Sequence, residues 1–260
     1  MSVTRGKFLK ELGKSLPGMV LGSGVAAAAH KVIGKMAAAA NVGEPISGKP
    51  PITGAPEPAA GEDKVEFIHH GPATRNHVAL TFDDGPTPGV TDRILDELQH
   101  RGLHATFFMI GERIQESPDL ARRVLAEGHD IGHHTMTHPK LTALPDAKVA
   151  GEIEQTLGVM REVLGHQPAW FRPPFGELRR NQAPLVTKHG MRIVFWNVDP
   201  RDWSRPSPET ITATILTNAA AGSIIVCHDV HDQTADALAA ILDGLQERAL
   251  SPVSLRVLLE

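Results

Sequence analysis

The sequence holds one cysteine, Cys227, and no tyrosine in 260 residues. A single thiol excludes an intramolecular disulfide framework. Neither sign of charge dominates: 26 Lys and Arg face 30 Asp and Glu, for a net charge of -4. The basic surface of a nucleic-acid binder is therefore missing. No apolar run suits a bilayer span, because the best candidate, 15–29, is short and rich in glycine. No glycine-rich dinucleotide fingerprint follows the first strand pattern, which weakens a Rossmann-type reading. What the chain has in excess is histidine, with 14 residues. That raises the expectation of metal or acid–base chemistry without locating it.

Three segments differ in composition. Residues 1–40 read as an export signal or an N-terminal anchor. Arg5, Lys7, Lys10 and Lys14 form a basic start, and small apolar residues follow. Ala27-Ala28-Ala29 and Ala38-Ala39-Ala40 are both candidate cleavage sites. Thr4 to Lys10 resembles a twin-arginine signal, but Gly6 stands where the second arginine belongs. An amphipathic helix is the alternative. Residues 41–64 are rich in Pro, Gly and Ala and read as a tether. The folded domain is expected over 65–260.

There, short apolar runs alternate with helical patterns. Strands are predicted at 78–82, 105–110, 130–133, 170–172, 192–196 and 223–227, with a weaker one at 253–257. Helices are predicted over 91–101, 118–127, 146–164, 181–189, 208–221 and 234–247. Such alternation argues for parallel strands joined by right-handed crossovers. The expected fold class is α/β, a distorted seven-stranded (β/α) barrel, with an open doubly wound sheet as the alternative.

Unusual polar residues recur at the predicted strand ends. Asp83-Asp84 follow the first strand, His133, His134 and His138 the third, and Arg172 the fourth. Asp199 and Asp202 follow the fifth, and His228 ends the sixth. In a parallel barrel these ends share one rim, where catalytic groups gather. Two adjacent acids there repel each other unless a cation is near. His134 and His138, four apart, with Asp84 make a two-histidine, one-carboxylate metal set. Asp83 would then be free to act as a base. A buried Arg172 calls for a carboxylate, best met by a bidentate pair. His228 fits a general acid, a ligand or a core residue, with Asp199 or Asp202 to orient it.

Five ordered segments together resemble the polysaccharide deacetylase family, the NodB-homology or carbohydrate esterase family 4 domain. They are Thr81-Phe82-Asp83-Asp84-Gly85-Pro86, the run from Gly128 to Pro139 that holds His134 and His138, Arg172-Pro173-Pro174-Phe175-Gly176, Asp199-Pro200-Arg201-Asp202-Trp203 and Val226-Cys227-His228-Asp229. The resemblance implies that Asp84, His134 and His138 bind a divalent metal, zinc foremost, with Co2+ or another divalent ion as alternatives. It implies Asp83 as the base, tethered by Arg172, and His228 as the acid, paired with Asp202. The Phe175 backbone N–H would stabilise an oxyanion, and Trp203 would line the groove. Three residues depart from the family pattern. Phe175 stands for Tyr, Val226 for Leu, and His133 for Asn, where it is either a support or an extra ligand. Cys227 is expected to pack away from the rim by strand alternation.

The implied activity is hydrolysis of N-acetyl groups on a polysaccharide of peptidoglycan or chitin type, releasing acetate. An O-acetyl esterase and an idle glycan-binding domain are the alternatives. The expected partner is an acetylated glycan, with no nucleic acid and no obligate protein partner. The expected location is the periplasm, the cell envelope or the exterior.

Overall fold

The computed structural model of the chain describes residues 65–260. The expected export segment and tether lie outside the described residues. Among the described residues, no helix is long and apolar enough to cross a membrane.

The strands are β1 (Phe67–Ile68), β2 (His77–Asp83), β3 (Thr106–Met109), β4 (Asp130–His133), β5 (Trp170–Phe171), β6 (Arg192–Val194), β7 (Ile224–His228) and β8 (Ser251–Val253). Their order is β1-β6-β5-β4-β3-β2-β7, and β8 pairs β2. Every pairing is parallel. β3 takes the second half of β2, from Thr81 to Asp83, and β8 takes the first half, from His77 to Ala79. The path curls closed through Val198, just past β6. Its N–H donates to the Ile224 carbonyl (3.2 Å), and its own carbonyl accepts from Val226 N–H (3.0 Å). The result is the distorted seven-membered barrel that the alternation predicts, with β8 as an addition at its base.

β2 is central, and alternation decides what each residue faces. Val78, Leu80 and Phe82 join the outer layer between sheet and helices, together with Cys227. Helix α1 (Thr91–His100) meets that layer with Ile94, Leu95 and Leu98, spaced for one helical face. Ala79 points the other way, into an interior cluster with Phe108, Val194 and Ile224. Leu255 and Leu258 of the last helix join that cluster. Thus Cys227 is buried away from the rim, and burial pushes its thiol pKa well up.

The remaining helices are α2 (Gly111–Glu116), α3 (Pro118–Ala126), α4 (Asp146–Leu164), α5 (Ala183–Thr187), α6 (Pro208–Asn218), α7 (Asp232–Glu247) and α8 (Leu255–Leu259). α4 buries Val149, Ile153, Leu157 and Met160 and stops at Gly165, whose φ of 61° permits the left-handed cap. Two readings need correction. The apolar run 253–257 is the end of β8 followed by α8, not a strand. The predicted helix 181–189 is a 3-10 turn (Arg180–Gln182) and the short α5. β1 and α2 escaped the sequence reading.

Candidate active site

Because every strand runs the same way, all C-terminal ends open on one rim, and the polar clusters gather there. β2 ends at Asp83, in register with His228 at the end of β7. Asp83 is buried. Arg172, the first residue beyond β5, is completely buried beneath it. Its Nη1 donates to Asp83 Oδ1 (2.7 Å) and to Thr81 Oγ1 (2.8 Å). Its Nη2 donates instead to the Phe195 carbonyl (3.0 Å), and the guanidinium lies 4.1 Å from the Phe108 ring centre. The pair is therefore single-bonded, not the bidentate fork expected from sequence. The interior carbonyl of Phe195 competes for the second nitrogen. Asp83 Oδ2 is left 4.0 Å from His134 Nε2.

Asp84 turns the other way, through a left-handed backbone with φ 77°. Its Oδ1 lies 3.3 Å from His134 Nε2 and 3.2 Å from His138 Nε2. His134 Nδ1 donates to the Arg172 carbonyl at 2.7 Å, which leaves the Nε2 lone pair facing Asp84. Asp84 Oδ1 is buried and has no hydrogen-bond partner. Burial works to raise the Asp84 pKa, but the imidazoles of His134, His228 and His138 outweigh it and hold it well below the usual range. Burial, and then the neighbouring His134, lower His138. Three ligand atoms, one from each of Asp84, His134 and His138, lie within 4.8 Å of one another. Two imidazole nitrogens aimed at one orphaned carboxylate oxygen need a cation or protons between them. The set fits a divalent metal.

The histidine segment is a loop, not a helix. Thr135 (φ 67°) and His138 (φ 57°) are both left-handed. His133 is not a ligand, because both its nitrogens are engaged. Nε2 bonds the Ile153 carbonyl (3.0 Å), and Nδ1 accepts from Thr135 N–H (3.1 Å). Burial lowers its pKa to about 4, which keeps it neutral. The sequence reading missed Glu152 of α4. Its Oε2 accepts from Met136 N–H and Thr137 N–H, both at 2.9 Å. Nothing at sequence level ties a mid-helix glutamate to loop residues 15 and 16 positions upstream.

Across the rim, His228 Nδ1 is 2.7 Å from Asp202 Oδ1. Asp202 is fully buried, and its Oδ2 accepts from His228 N–H and Thr234 Oγ1, both at 2.7 Å. Burial alone would lower the His228 pKa, but Asp202 raises it to about 9. The choice left open between two acids is settled: Asp199 turns its Oδ1 to Arg201 N–H instead. Asp229, next to His228, belongs to the fifth segment, but sequence reading assigns it no role. Its N–H donates to the Asp83 carbonyl (3.2 Å), and its Oδ2 accepts from Thr91 Oγ1 (2.6 Å). Burial pushes it up to about 7. Its carboxyl fills the space that a side chain at residue 85 would need, so Gly85 must be glycine.

Phe175 and Trp203 are 59% and 51% exposed, two of only three large exposed apolar side chains among the described residues. Phe175 is left-handed (φ 59°), and its ring packs edge-on to His138, 4.6 Å between centres. Trp203 follows Asp202, whose Oδ1 accepts from its N–H (3.1 Å). The two aromatics therefore flank the metal-ligand side and the His228 side. An open cleft of about 300 Å³ adjoins Asp84 and His138 and is lined by Ile110, Glu112, Arg113 and Thr137.

This geometry agrees with comparisons to known proteins. A protein-family model for polysaccharide deacetylase matches residues 70–194. A peptidoglycan-N-acetylglucosamine deacetylase of Bacillus cereus is 37% identical over 202 residues, 76% of this chain and 74% of that protein. A chitooligosaccharide deacetylase of Rhizobium leguminosarum bv. trifolii is 37% identical over 206 residues, 74% of this chain and 95% of that protein. Among solved structures, the Bc1960 peptidoglycan N-acetylglucosamine deacetylase, in complex with a naphthalenyl N-oxidanyl-benzamide, superposes with a TM-score of 0.72. It is 36% identical and covers 74% of this chain and 92% of that one. With fold, motif order and relatives in agreement, the chain belongs to the polysaccharide deacetylase family.

Proposed function

We propose that this protein hydrolyses N-acetyl groups on an N-acetylglucosamine polymer, releasing acetate, with peptidoglycan the first candidate and chitin-type oligomers the second. The observation that carries this reading is the separation of roles on one rim. Asp83 is bonded to Arg172, Asp84 faces His134 and His138, and His228 is bonded to Asp202. Base, ligand set and acid are thus three distinct groups. The relatives named above are deacetylases of peptidoglycan and of chitooligosaccharide, which supports the substrate class.

Asp84, His134 and His138 would hold the divalent ion, zinc foremost. When bound, such an ion supplies Lewis-acid polarisation of a carbonyl and makes water a better nucleophile at neutral pH. Asp83, bonded to Arg172, takes the proton of the attacking water. The Phe175 backbone N–H donates to the developing oxyanion. His228, protonated through Asp202, gives its proton to the leaving amine. The exposed Trp203 and Phe175 faces offer the apolar side of a pyranose a surface on which to pack.

The test compares peptidoglycan, chitin oligomers and acetylated xylan side by side, assaying acetate with and without a chelator. Release from the first two, lost with chelator and restored by Zn2+, is expected. Release from xylan alone would replace the reading with an esterase, and no release from any would make the domain idle. We also propose that residues 1–40 direct export or anchor the chain and that 41–64 tether the domain, supported by the basic start, the small apolar run and the Pro-rich stretch. Cell fractionation should find the protein in the envelope or medium. Recovery in the cytoplasm alone would overturn that.

A further inference from the structure

The loop that carries both histidines is built from backbone that would not hold its shape alone. Thr135 and His138 each sit at positive φ without being glycine. Such conformations cost about 1–3 kcal/mol each and persist only where the surroundings over-determine them. Four consecutive loop N–H groups bond to side chains. Thr135 N–H donates to His133 Nδ1 (3.1 Å), and His138 N–H donates to Thr135 Oγ1 (3.1 Å). The two between, Met136 and Thr137, both donate to Glu152 Oε2 (2.9 Å each). Thr137 Oγ1 adds a third bond, to Glu152 Oε1 (2.9 Å). On the opposite side, the loop carbonyls of Thr135 and Met136 accept from Gly111 N–H (2.9 Å) and Glu112 N–H (3.0 Å), at the start of α2. The loop is slung between the N-terminus of α2 and one carboxylate on α4.

We infer that Glu152 is the positioning residue for the metal-ligand loop: it holds Met136 and Thr137 so that His134 and His138 present Nε2 together to a divalent ion. The inference rests on the proposed function, which makes these histidines ligands. The chemistry of the contact asks for a carboxylate. Three donors converge on one side chain that must offer only acceptors. A glutamine of equal shape would turn an NH2 toward donors on one of its two arms. A metal site forms at full affinity only if its ligands are already aimed, and supporting groups of this kind are typically worth about 10–100-fold in affinity. Glu152 is not one of the three ligand residues, and its carboxylate bonds the loop alone, so its effect should appear in metal affinity and not in the chemistry of the fully loaded enzyme.

The experiment measures Zn2+ affinity by competition with a chromophoric chelator for the wild type, Glu152→Gln and Glu152→Asp. Glu154→Ala, an exposed change on the same helix, serves as control. Circular dichroism and the melting of the metal-free proteins report folding. The expected result is a 10–100-fold loss of Zn2+ affinity in Glu152→Gln, with helix content unchanged and kcat recovered at saturating Zn2+. Glu152→Asp keeps the charge but is one methylene short, and should lose affinity as well. Wild-type affinity in Glu152→Gln overturns the inference. Wild-type affinity in Glu152→Asp alone would make the effect one of charge, and overturns positioning. An equal loss in Glu154→Ala would do the same. If the wild type itself binds no Zn2+, the functional reading fails first, so the two failures are distinguishable.

Discussion

Replacing Asp83 with Asn is expected to lower acetate release by about 10³-fold while the protein still binds one metal ion per chain. The size follows from losing a positioned general base, which typically contributes about 10²–10⁴-fold. Retention of metal follows from geometry. Asp84, not Asp83, lies 3.2–3.3 Å from both imidazole nitrogens. The variant carries a second signature. Arg172 is wholly buried, and Asp83 is the only carboxylate bonded to it among the described residues. Asn keeps an acceptor oxygen but removes the charge, so an uncompensated guanidinium remains in the interior. Breaking a buried pair this way costs about 3–5 kcal/mol, and a lower melting temperature should accompany the lost activity. His134→Ala should behave differently, losing metal and turnover together. Metal analysis of the two purified variants decides the matter. A metal-depleted Asp83→Asn would sink the division of labour between the adjacent acids.

The gathering of these groups on one rim was legible in the sequence because a parallel barrel turns strand order into spatial proximity. Six of the predicted strands have counterparts in β2 to β7, and the polar residues after them converge as alternation and parallel pairing require. What stayed hidden has physical reasons. β1 is two residues long and carries no period to read. α2 begins two residues after β3, with only Ile110 between, and its six residues bury only Gly111 and Ile114, too few to show a helical period. The run 253–257 is too short for its spacing to separate a strand from the helix it mostly forms. His133 posed a choice between ligand and support that only its partners could settle, and both lie in the fold: the Ile153 carbonyl and Thr135 N–H. Glu152 lies outside every motif, and Asp229 sits within one without a role that spacing could show, since their partners, the Met136 and Thr137 N–H groups and Thr91, are brought to them by tertiary packing.

Asp202→Asn should move the alkaline limb of the kcat/KM profile to lower pH by about 1–3 units, the usual effect of removing an opposite charge at contact distance. His228 is held up to about 9 because Asp202, at 2.7 Å, overcomes a burial that alone would lower it. A general acid must be protonated in the free enzyme, so activity falls as pH rises through that value. A cation at Asp84 pulls the His228 pKa down in both proteins, so the informative quantity is the difference between their limbs. In the variant, Asn can still accept from Nδ1–H, which keeps the ring oriented, but the charge is gone and burial remains. The linkage carries the same sign in stability. A raised histidine pKa stabilises the fold fully below the ordinary value of about 6.5 and ceases to do so above about 9. The wild type should therefore lose that part of its stability between these limits, whereas the variant lacks it throughout. Kinetics from pH 5 to 10 and melting over the same range supply both readouts. An unmoved alkaline limb would show that His228 is not the group whose proton reaches the leaving amine, and the acid would have to be sought elsewhere on the rim.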